Sequence, residues 1–326
     1  MRFKLLAALT LAVLAACSQP SAPSGGRTVI RFATDWRAEA EHGGFYEALA
    51  TGEYAKRGLD VRIIEGGPTV DVEGLIAAGA VELGDGSNSF VVSKLVDVNA
   101  PIKAVAAFLQ KDPQVLLAHP DVGINAFADM KGHPILLSDE SRTAFWPWIK
   151  SKWGFSDSQV RSYDGNSSQF IVDKSLVQEG YLTSEPYTIE KQGHFQPKVF
   201  LLADQGYSSY AGMVLAPDSL IAKNPAAIKA FVEASAVGWR AYLHGDPRPA
   251  DALILRDNPD MTEDVLAQAR DKMREYALVD GGDVATIGYG AMTDQRWKDF
   301  FQIADKDPAA YQRAYTLQFL PNPPVK

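Results

Sequence analysis

The chain has 326 residues, enough for about two domains with a large buried core, so a small disulfide-stapled scaffold is excluded. Apolar residues make up 46% of the sequence and charged residues 22%, which excludes a wholly disordered or fibrous protein. Acidic residues outnumber basic ones 40 to 32, so there is no basic surplus to bind phosphates and we expect no nucleic-acid partner. The single cysteine excludes an internal disulfide framework and a cysteine-rich metal site.

An apolar run at the N-terminus predicts an export signal over residues 1–16. Basic residues precede a run from Leu5 to Ala16 that is too short to span a bilayer and ends in small residues before Cys17. This ending resembles a bacterial lipobox, which implies cleavage before Cys17, a lipid on its sulfur and membrane contact through that anchor only. The alternative is an ordinary signal peptide with an incidental cysteine. Residues 17–27 are predicted to be a flexible tether, and the domain is expected in the periplasm or cell envelope.

From residue 28 onward, short β-branched or aromatic runs alternate with amphipathic stretches, a pattern typical of α/β proteins. The polar residues 85–88 are predicted to form a turn. This alternation favours a parallel sheet, in which ligands bind at the carboxyl ends of the strands. The predicted strands are 29–33, 60–64, 81–83 and 103–109, and the predicted helices are 45–57, 70–78 and 89–96.

A second α/β unit follows, and a strand at 212–215 then returns the chain to the first unit. We therefore predict an α/β fold with two lobes, one formed by residues 28–110 plus 212–326 and the other by residues 111–211. Two chain crossings near residues 110 and 211 make a hinge with a ligand cleft between the lobes. The remaining predicted elements are strands at 114–118, 135–137, 181–183 and 199–203, and helices at 143–153, after Pro225, at 262–276 and at 294–303.

A search for catalytic motifs finds none of the common ones. There is no G-x-S-x-G elbow, phosphate-binding loop, H-E-x-x-H pair or dinucleotide-binding glycine fingerprint, and the five histidines lack metal-ligand spacing. A dispersed Ser-His-Asp triad leaves no motif, and nothing in the sequence points to one. We therefore expect no enzymatic activity, no cofactor and no metal.

Four segments of the sequence form recognisable motifs, namely residues 35–48 (DWRAEAEHGGFYEA), 54–61 (YAKRGLDV), 75–84 (LIAAGAVELG) and 183–187 (TSEPY). Together they resemble the substrate-binding proteins of ABC importers for thiamine-pyrimidine precursors, nitrate, sulfonates and taurine. The resemblance implies a type II periplasmic binding protein with two lobes and a hinge. Such a protein passes a small-molecule ligand to ABC permease and ATPase subunits.

The first of these segments is most similar to the pyrimidine-precursor branch of that superfamily. Glu39 and Glu41 stand where the branch has asparagines, which leaves the exact ligand open. The branch also resembles a pyrimidine-synthesising enzyme whose histidine, matched by His42, is consumed beside a cysteine-rich iron motif. That motif is absent here, so its activity is not implied. The residues that match the branch are Asp35, Trp36, His42, Gly44 and Tyr46.

Candidate ligand-binding residues follow from loop positions at the predicted strand ends. Trp36 offers a flat apolar face, with core packing as the alternative, and His42 either contacts ligand or caps the next helix. Glu185 can accept two parallel hydrogen bonds from an aminopyrimidine edge, or it is a helix N-terminal charge. Turn formation, helix capping or surface charge explain the other candidates nearly as well. The full candidate set is Trp36, His42, Gly67, Pro68, Ser87, Asn88, Ser141, Arg142, Asn166, Glu185 and Tyr187.

The charges near these loops favour a neutral or cationic ligand. Glu39, Glu41 and Glu185 are balanced only by Arg37 and Arg142, although backbone N–H groups can also bind an anion. The sequence thus predicts a binding lipoprotein of an ABC importer for a small nitrogenous heterocycle, such as a thiamine pyrimidine precursor. The alternatives are the same role for nitrate, sulfonate or taurine, a ligand-sensing lipoprotein, or a pyrimidine-synthase-like enzyme.

Overall fold

The computed structural model describes residues 26–326, which form a mixed α/β structure. The predicted signal peptide, the lipidation of Cys17 and most of the predicted tether lie outside the described residues. The strands are β1 (Thr28–Ala33), β2 (Leu59–Ile64), β3 (Leu83–Asn88), β4 (Ile102–Leu109), β5 (Gln114–Ala118), β6 (Ile135–Leu137), β7 (Val160–Ser162), β8 (Val177–Tyr181), β9 (Lys198–Leu201) and β10 (Ala211–Pro217).

The helices alternate with the strands in the first two thirds of the chain and dominate the last third. They are α1 (Gly43–Ala50), α2 (Glu53–Lys56), α3 (Val72–Ala77), α4 (Ser89–Asp97), α5 (Asp139–Thr143), α6 (Trp146–Trp153), α7 (Ser168–Val172), α8 (Glu185–Gly193), α9 (Asp218–Lys223), α10 (Pro225–His244), α11 (Arg248–Asp257), α12 (Glu263–Glu275), α13 (Val284–Ile287) and α14 (Asp294–Ile303). None of the helices within residues 26–326 is long and apolar enough to cross a membrane.

Two five-stranded sheets divide the structure into two lobes, which confirms the predicted fold class. The first sheet has the order β2-β1-β3-β10-β4 and the second the order β7-β6-β8-β5-β9. The prediction that the first sheet is parallel is wrong for one strand. β1 is parallel to β2 and β3, whereas β10 is antiparallel to both β3 and β4 because it enters the sheet on its way back from the second lobe.

β3 corrects the prediction of a turn at residues 85–88. Its sequence, LGDGSN, has little β-propensity, yet every residue in it is buried between β1 and β10. Its glycines admit neighbouring side chains, since a Cβ on Gly84 would lie 2.3 Å from Val72 Cγ1 and one on Gly86 would lie 2.9 Å from Leu215 Cδ1. Tertiary packing therefore sets this strand against its local propensity.

Three further elements differ from the prediction. The strand predicted at 181–183 is observed as β8, which begins four residues earlier, at Val177. The polar side chains of Gln178 and Glu179 are tolerated there because they are buried and hydrogen-bonded within the second lobe. The helix predicted at 45–57 is interrupted at Gly52, which has a φ of +73° that favours glycine. The helix predicted at 143–153 begins only at Trp146.

The long helix α10 carries the core of the first lobe. Its predicted apolar face is confirmed, since each of its residues is at most 1% exposed. It packs closely on α1, where Gly43 and Gly44 leave room for the rings of Tyr242 and Trp239. The buried face comprises Ile228, Phe231, Val232, Ser235, Trp239 and Tyr242.

Arg296 binds both chain crossings between the lobes. Its guanidinium lies 3.8 Å from the ring centroid of Tyr210, and Nη2 donates to the backbone oxygens of Gln110 and Ser209, one on each crossing. Ser89 adds a second link, since its N–H donates to Ser209 Oγ at 2.9 Å and its own Oγ accepts from the N–H of Tyr210 at 3.0 Å. Arg296 thereby holds the two chain crossings side by side, and Ser89 ties the second crossing to α4.

We expect Arg296→Met to lower the free energy of unfolding by about 1–3 kcal/mol, because two hinge carbonyl groups lose a charged donor. Urea denaturation measures the effect. The control is Arg248→Met, since Arg248 is an exposed arginine with an 85% exposed side chain whose loss should change stability by less than about 0.5 kcal/mol. Equal effects of the two substitutions would contradict this role for Arg296.

Candidate functional site

Four of the predicted binding residues line one cavity between the two lobes, namely Trp36, His42, Ser141 and Glu185. The cavity and its open mouth together contain about 720 Å³ of space not filled by protein atoms. The first lobe contributes Asp35, Trp36, Glu39, Glu41, His42, Asp85, Leu109, Ala211 and Gly212 to its walls, and the second contributes Gln114, Ser138, Glu140, Ser141, Tyr163, Glu179, Gly180, Tyr181 and Glu185.

The fold brings these side chains together from strand ends and helix starts. Asp35 and Trp36 directly follow β1, and His42 ends a short 3-10 turn before α1. From the second lobe, Glu179 lies in β8 and Glu185 opens α8. This is the edge at which parallel strands of α/β sheets present ligand-binding groups.

Carboxyl groups dominate the cavity. Seven of its lining residues are acidic. Among all the lining residues identified within residues 26–326, none is a lysine or an arginine. Burial raises the pKa of Glu140 to about 8, that of Glu185 to about 7 and that of Glu179 to about 6. Burial, together with the negative charges of Glu41 and Glu185, raises the pKa of Glu39 well above its ordinary value. The cavity walls are therefore rich in carboxyl groups that hold their protons more tightly than exposed carboxyls do.

Direct contacts between the lobes show that the cleft is closed. Thr183 Oγ1 of the second lobe donates to Glu41 of the first, and Gln268 Nε2 donates to the backbone oxygen of Thr183 at 3.0 Å. Farther out, Tyr187 OH donates to Asp264 Oδ2 at 2.9 Å, between α8 and α12. A ligand in the cavity would touch both lobes, which is the condition for coupling binding to closure.

Trp36 and Glu185 face the cavity from opposite lobes. The edge of the Trp36 ring lies against Gly165 of the second lobe, where a Cβ would come 3.3 Å from Trp36 Cζ2. Glu185 Oε2 accepts from the backbone N–H of Tyr181 at 2.7 Å, and Oε1 lies 3.5 Å from the hydroxyl of Tyr163. Trp36 therefore offers an aromatic surface to the cavity and Glu185 a fixed carboxylate.

His42 and Ser141 also line this cavity. The His42 side chain makes no capping hydrogen bond to α1, and its Nε2 instead lies 3.0 Å from Oδ1 of Asp35. Ser141 shares a hydrogen bond of 3.1 Å with the hydroxyl of Ser138, at the start of α5. His42 and Ser141 therefore line the same cavity as Trp36 and Glu185.

Other candidates lie around two outer openings of the same cleft. Asn166 lines one opening next to Trp36 and Glu185, together with Arg37, which pairs with Asp260 at 3.4 Å. Gly67, Pro68 and Ser87 line the other, next to Asp85 and Glu140 and beside Lys94. These residues are placed to contact a ligand that extends beyond the central cavity.

Three candidates line none of these spaces. Arg142 points to Asp139, 3.5 Å away, and Tyr187 contacts Asp264 in the outer bridge between the lobes. Asn88 caps α4, with Oδ1 accepting from the N–H groups of Phe90 at 3.0 Å and Val91 at 3.3 Å. Arg142 is half-buried, and its Nε has no hydrogen-bond partner within the described residues. Tyr187 forms a closure contact. Asn88 caps a helix and also reaches the cavity wall of the other lobe, since its Nδ2 donates to Glu140 Oε1 at 3.4 Å.

We expect Asn88→Ala to lower the free energy of unfolding by about 1 kcal/mol through loss of the α4 cap. Asn88→Ser, which keeps an accepting oxygen without adding a charge beside Glu140, should retain most of the stability. Thermal unfolding and a ligand titration of both variants measure this. Unchanged stability with a large loss of affinity in the alanine variant would contradict the capping role.

Several cavity residues were missed by sequence reasoning. Asp85 lies in β3, whose glycines and polar residues led to the prediction of a turn. Glu179 lies in β8, which is also rich in polar residues. Glu140 and Tyr163 carry no sequence signal that sets them apart. Asp35 belongs to the motif after β1 but was not counted among the binding residues, although that motif was signal enough to include it.

Comparison with known proteins agrees with this architecture. The model of the NMT1/THI5-like family matches residues 39–250, about two thirds of the chain. The chain belongs to the NMT1/THI5-like family. The match includes α1, the second sheet, every strand of the first sheet except β1, and all the cavity-lining residues except Asp35 and Trp36.

Named relatives of this family member are distant. A riboflavin-binding protein RibY from Chloroflexus aurantiacus is 24% identical, with 98% of each chain covered. A 4-amino-5-hydroxymethyl-2-methylpyrimidine phosphate synthase from Schizosaccharomyces pombe is 25% identical, with 63% of each covered. The ligand-binding component of an ABC-type import system from Staphylococcus aureus shares the fold at a TM-score of 0.63 and 12% identity, with 90% of this chain and 98% of that chain covered. These similarities are consistent with a two-lobed binding-protein fold.

Proposed function

We propose that this NMT1/THI5-like protein is the substrate-binding component of an ABC importer, and that it captures a small nitrogenous heterocycle between its lobes. The observation that carries the proposal is a closed inter-lobe cavity lined by seven acidic residues and by no lysine or arginine from the described chain. The solute passes to a permease and an ATPase in the membrane. The protein works in the periplasm or cell envelope, held there by a lipid on Cys17.

The acidic lining selects the ligand class. Nitrate, sulfonates and taurine carry a negative group, and burying such a group among carboxylates would add like-charge repulsion to its desolvation cost. An aminopyrimidine instead presents an amino group beside a ring nitrogen, and when that nitrogen is protonated the edge carries two parallel N–H donors. A carboxylate such as Glu185 can accept from that edge, while the Trp36 ring packs on the heterocycle face.

A thiamine pyrimidine precursor fits these features. The resemblance of residues 35–48 to the pyrimidine-precursor branch supports it, and so does the relative whose product is a pyrimidine phosphate. The phosphate itself would find no cationic partner on the central cavity walls, which favours an unphosphorylated precursor.

Riboflavin is a second candidate ligand, because the relative that covers 98% of the chain is a riboflavin-binding protein. Its ring system also contains a pyrimidine ring, and its side-chain hydroxyls can donate to carboxylates. Riboflavin is fluorescent, and a ring stacked on Trp36 would be quenched. Titration followed by flavin fluorescence therefore separates this candidate from an aminopyrimidine, which would bind without that signal.

Capture without chemical change is the role that we infer, rather than pyrimidine synthesis. The chain has one cysteine, at position 17, so no cysteine-rich motif accompanies His42 in the cavity. A ligand-sensing lipoprotein would use the same cleft, and a neighbouring permease and ATPase gene pair would distinguish transport from sensing.

Native mass spectrometry of the purified protein tests the proposal, because closed binding proteins often retain their ligand. We expect one small nitrogenous molecule per chain, neutral or positively charged. Bound nitrate or sulfonate would overturn the ligand assignment while leaving transport in place. Conversion of the bound molecule during incubation would overturn the binding role itself.

A further inference from the structure

Three metal-ligating side chains converge on the first-lobe side of the cavity from separate segments of the chain. Asp35 follows β1, His42 precedes α1 and Asp85 lies in β3. One ligand atom from each lies within 4.8 Å of the other two. Because they come from three segments, their linear spacing in the sequence carries no metal-binding signature.

The spacing of these atoms fits a metal ion. Nε2 of His42 lies 3.0 Å from Oδ1 of Asp35 and 3.8 Å from Oδ2 of Asp85. Around a tetrahedral ion with bonds near 2.1 Å, ligand atoms stand about 3.4 Å apart. The cluster therefore needs only small side-chain adjustments to coordinate one ion.

Burial sets this cluster apart from an ordinary acidic surface patch. His42 is 3% exposed and Asp85 is 2% exposed, and both line the cavity. Oδ1 of Asp85 and Nδ1 of His42 have no hydrogen-bond partner within the described part of the chain. A buried carboxylate oxygen without a partner is costly, and a cation beside it would remove that cost.

From this geometry we propose that Asp35, His42 and Asp85 bind one divalent transition-metal ion in the cleft. One imidazole and two carboxylates suit Mn²⁺, Fe²⁺ or Zn²⁺, whereas Mg²⁺ and Ca²⁺ prefer oxygen ligands alone. Three protein ligands leave a coordination position open towards the cavity. The ion would balance part of the negative charge there and offer a contact to a nitrogen or oxygen atom of the captured molecule.

Titration with metal alone tests the site. The full protein is stripped with a chelator, dialysed, and titrated calorimetrically with ZnCl₂ or MnCl₂ in the absence of organic ligand. We expect one ion per chain, with Asp85→Asn weakening Zn²⁺ binding at least about tenfold. Glu47→Gln is the matched control, because Glu47 is a buried carboxyl of the first lobe that does not line the cavity, and it should leave binding within about twofold. Equal affinities of wild type and Asp85→Asn, or no stoichiometric binding, would overturn the proposal.

A second measurement needs no variant. Pulsed electron paramagnetic resonance of the Mn²⁺-loaded wild-type protein should show coupling to an imidazole nitrogen. Lack of that coupling, or Ca²⁺ binding as tight as Mn²⁺ binding, would overturn the role of His42. Because these experiments contain no organic ligand, their failure would leave the proposed transport function standing, and the failure of heterocycle binding would leave the metal site standing.

Discussion

Replacing Trp36 with alanine is expected to weaken ligand binding by about 5- to 150-fold, equivalent to about 1–3 kcal/mol, with little loss of stability. The ring lies at the junction of the lobes, lines the cavity and borders Gly165 across the cleft. Its removal takes away the flat surface on which a heterocycle would pack. Trp36 is only partly buried, so the core of the first lobe should not depend on it.

The control for this substitution is Trp36→Phe, which keeps an aromatic face and should retain most of the affinity. Calorimetric titration gives the affinities, and urea denaturation of the ligand-free proteins gives the stabilities. Unchanged affinity in the alanine variant would remove Trp36 from the binding site. An equal loss in both variants would point to the size of the indole ring rather than to aromatic packing.

Ligand affinity is expected to rise with pH between about 5.5 and 8, the range in which the cavity carboxyls ionise. Burial raises the pKa of Glu185 to about 7 and that of Glu179 to about 6, so the free protein holds protons there below these values. A ligand that donates hydrogen bonds or carries positive charge favours the ionised forms, so binding must release those protons. Glu185 faces Glu41, Glu179 and the Tyr163 hydroxyl, and the negative charges of Glu41 and Glu179 raise its pKa further.

The raised pKa values of Glu179 and Glu185 also determine whether the folded protein gains or loses stability as the pH rises. A carboxyl with a raised pKa in the folded state binds its proton more tightly than the unfolded chain does. With respect to these groups, the ligand-free protein should therefore be most stable below about pH 4.3, the ordinary glutamate pKa, and should lose stability as the pH rises from there through about 6 and then 7, until both carboxyls are ionised. Melting temperatures measured from pH 5 to pH 8 test this direction.

Glu185→Gln should weaken the pH dependence of both ligand affinity and protein stability. The amide keeps the shape of the side chain but cannot ionise, and at pH 8 we expect it to weaken binding by about 5- to 150-fold. Glu190→Gln, on the exposed side of the same helix, is the matched control and should leave the pH profiles unchanged. An affinity that falls as the pH rises would contradict a donor-rich or cationic ligand.

The sequence was informative about the fold where physical signals are strong and local. The apolar face of α10 and the aliphatic strands β4 and β5 follow hydrophobic periodicity, and the motif after β1 is a short linear pattern. The two crossings follow from the order of the elements. Arg296 could not be foreseen as their link, because its partners are backbone carbonyls far away in sequence.

Sequence reasoning was weakest at the strands that build the site. β3 and β8 carry Asp85 and Glu179, together with glycines and amides that low β-propensity assigns to turns. They are strands because sheet neighbours enclose them, and they are polar because they end at the cavity. Residues such as Glu140 add to the site only through the closure of one lobe on the other, which no local pattern encodes.

Calorimetric titration with 4-amino-5-hydroxymethyl-2-methylpyrimidine, with riboflavin, and with taurine and nitrate, followed by mass spectrometry of the recovered ligand, tests the central claim most directly. We predict stoichiometric binding of one of the two heterocycles, no competition from taurine or nitrate, and recovery of the heterocycle unchanged. Tight binding of taurine or nitrate, or a heterocycle altered by the protein, would contradict this account.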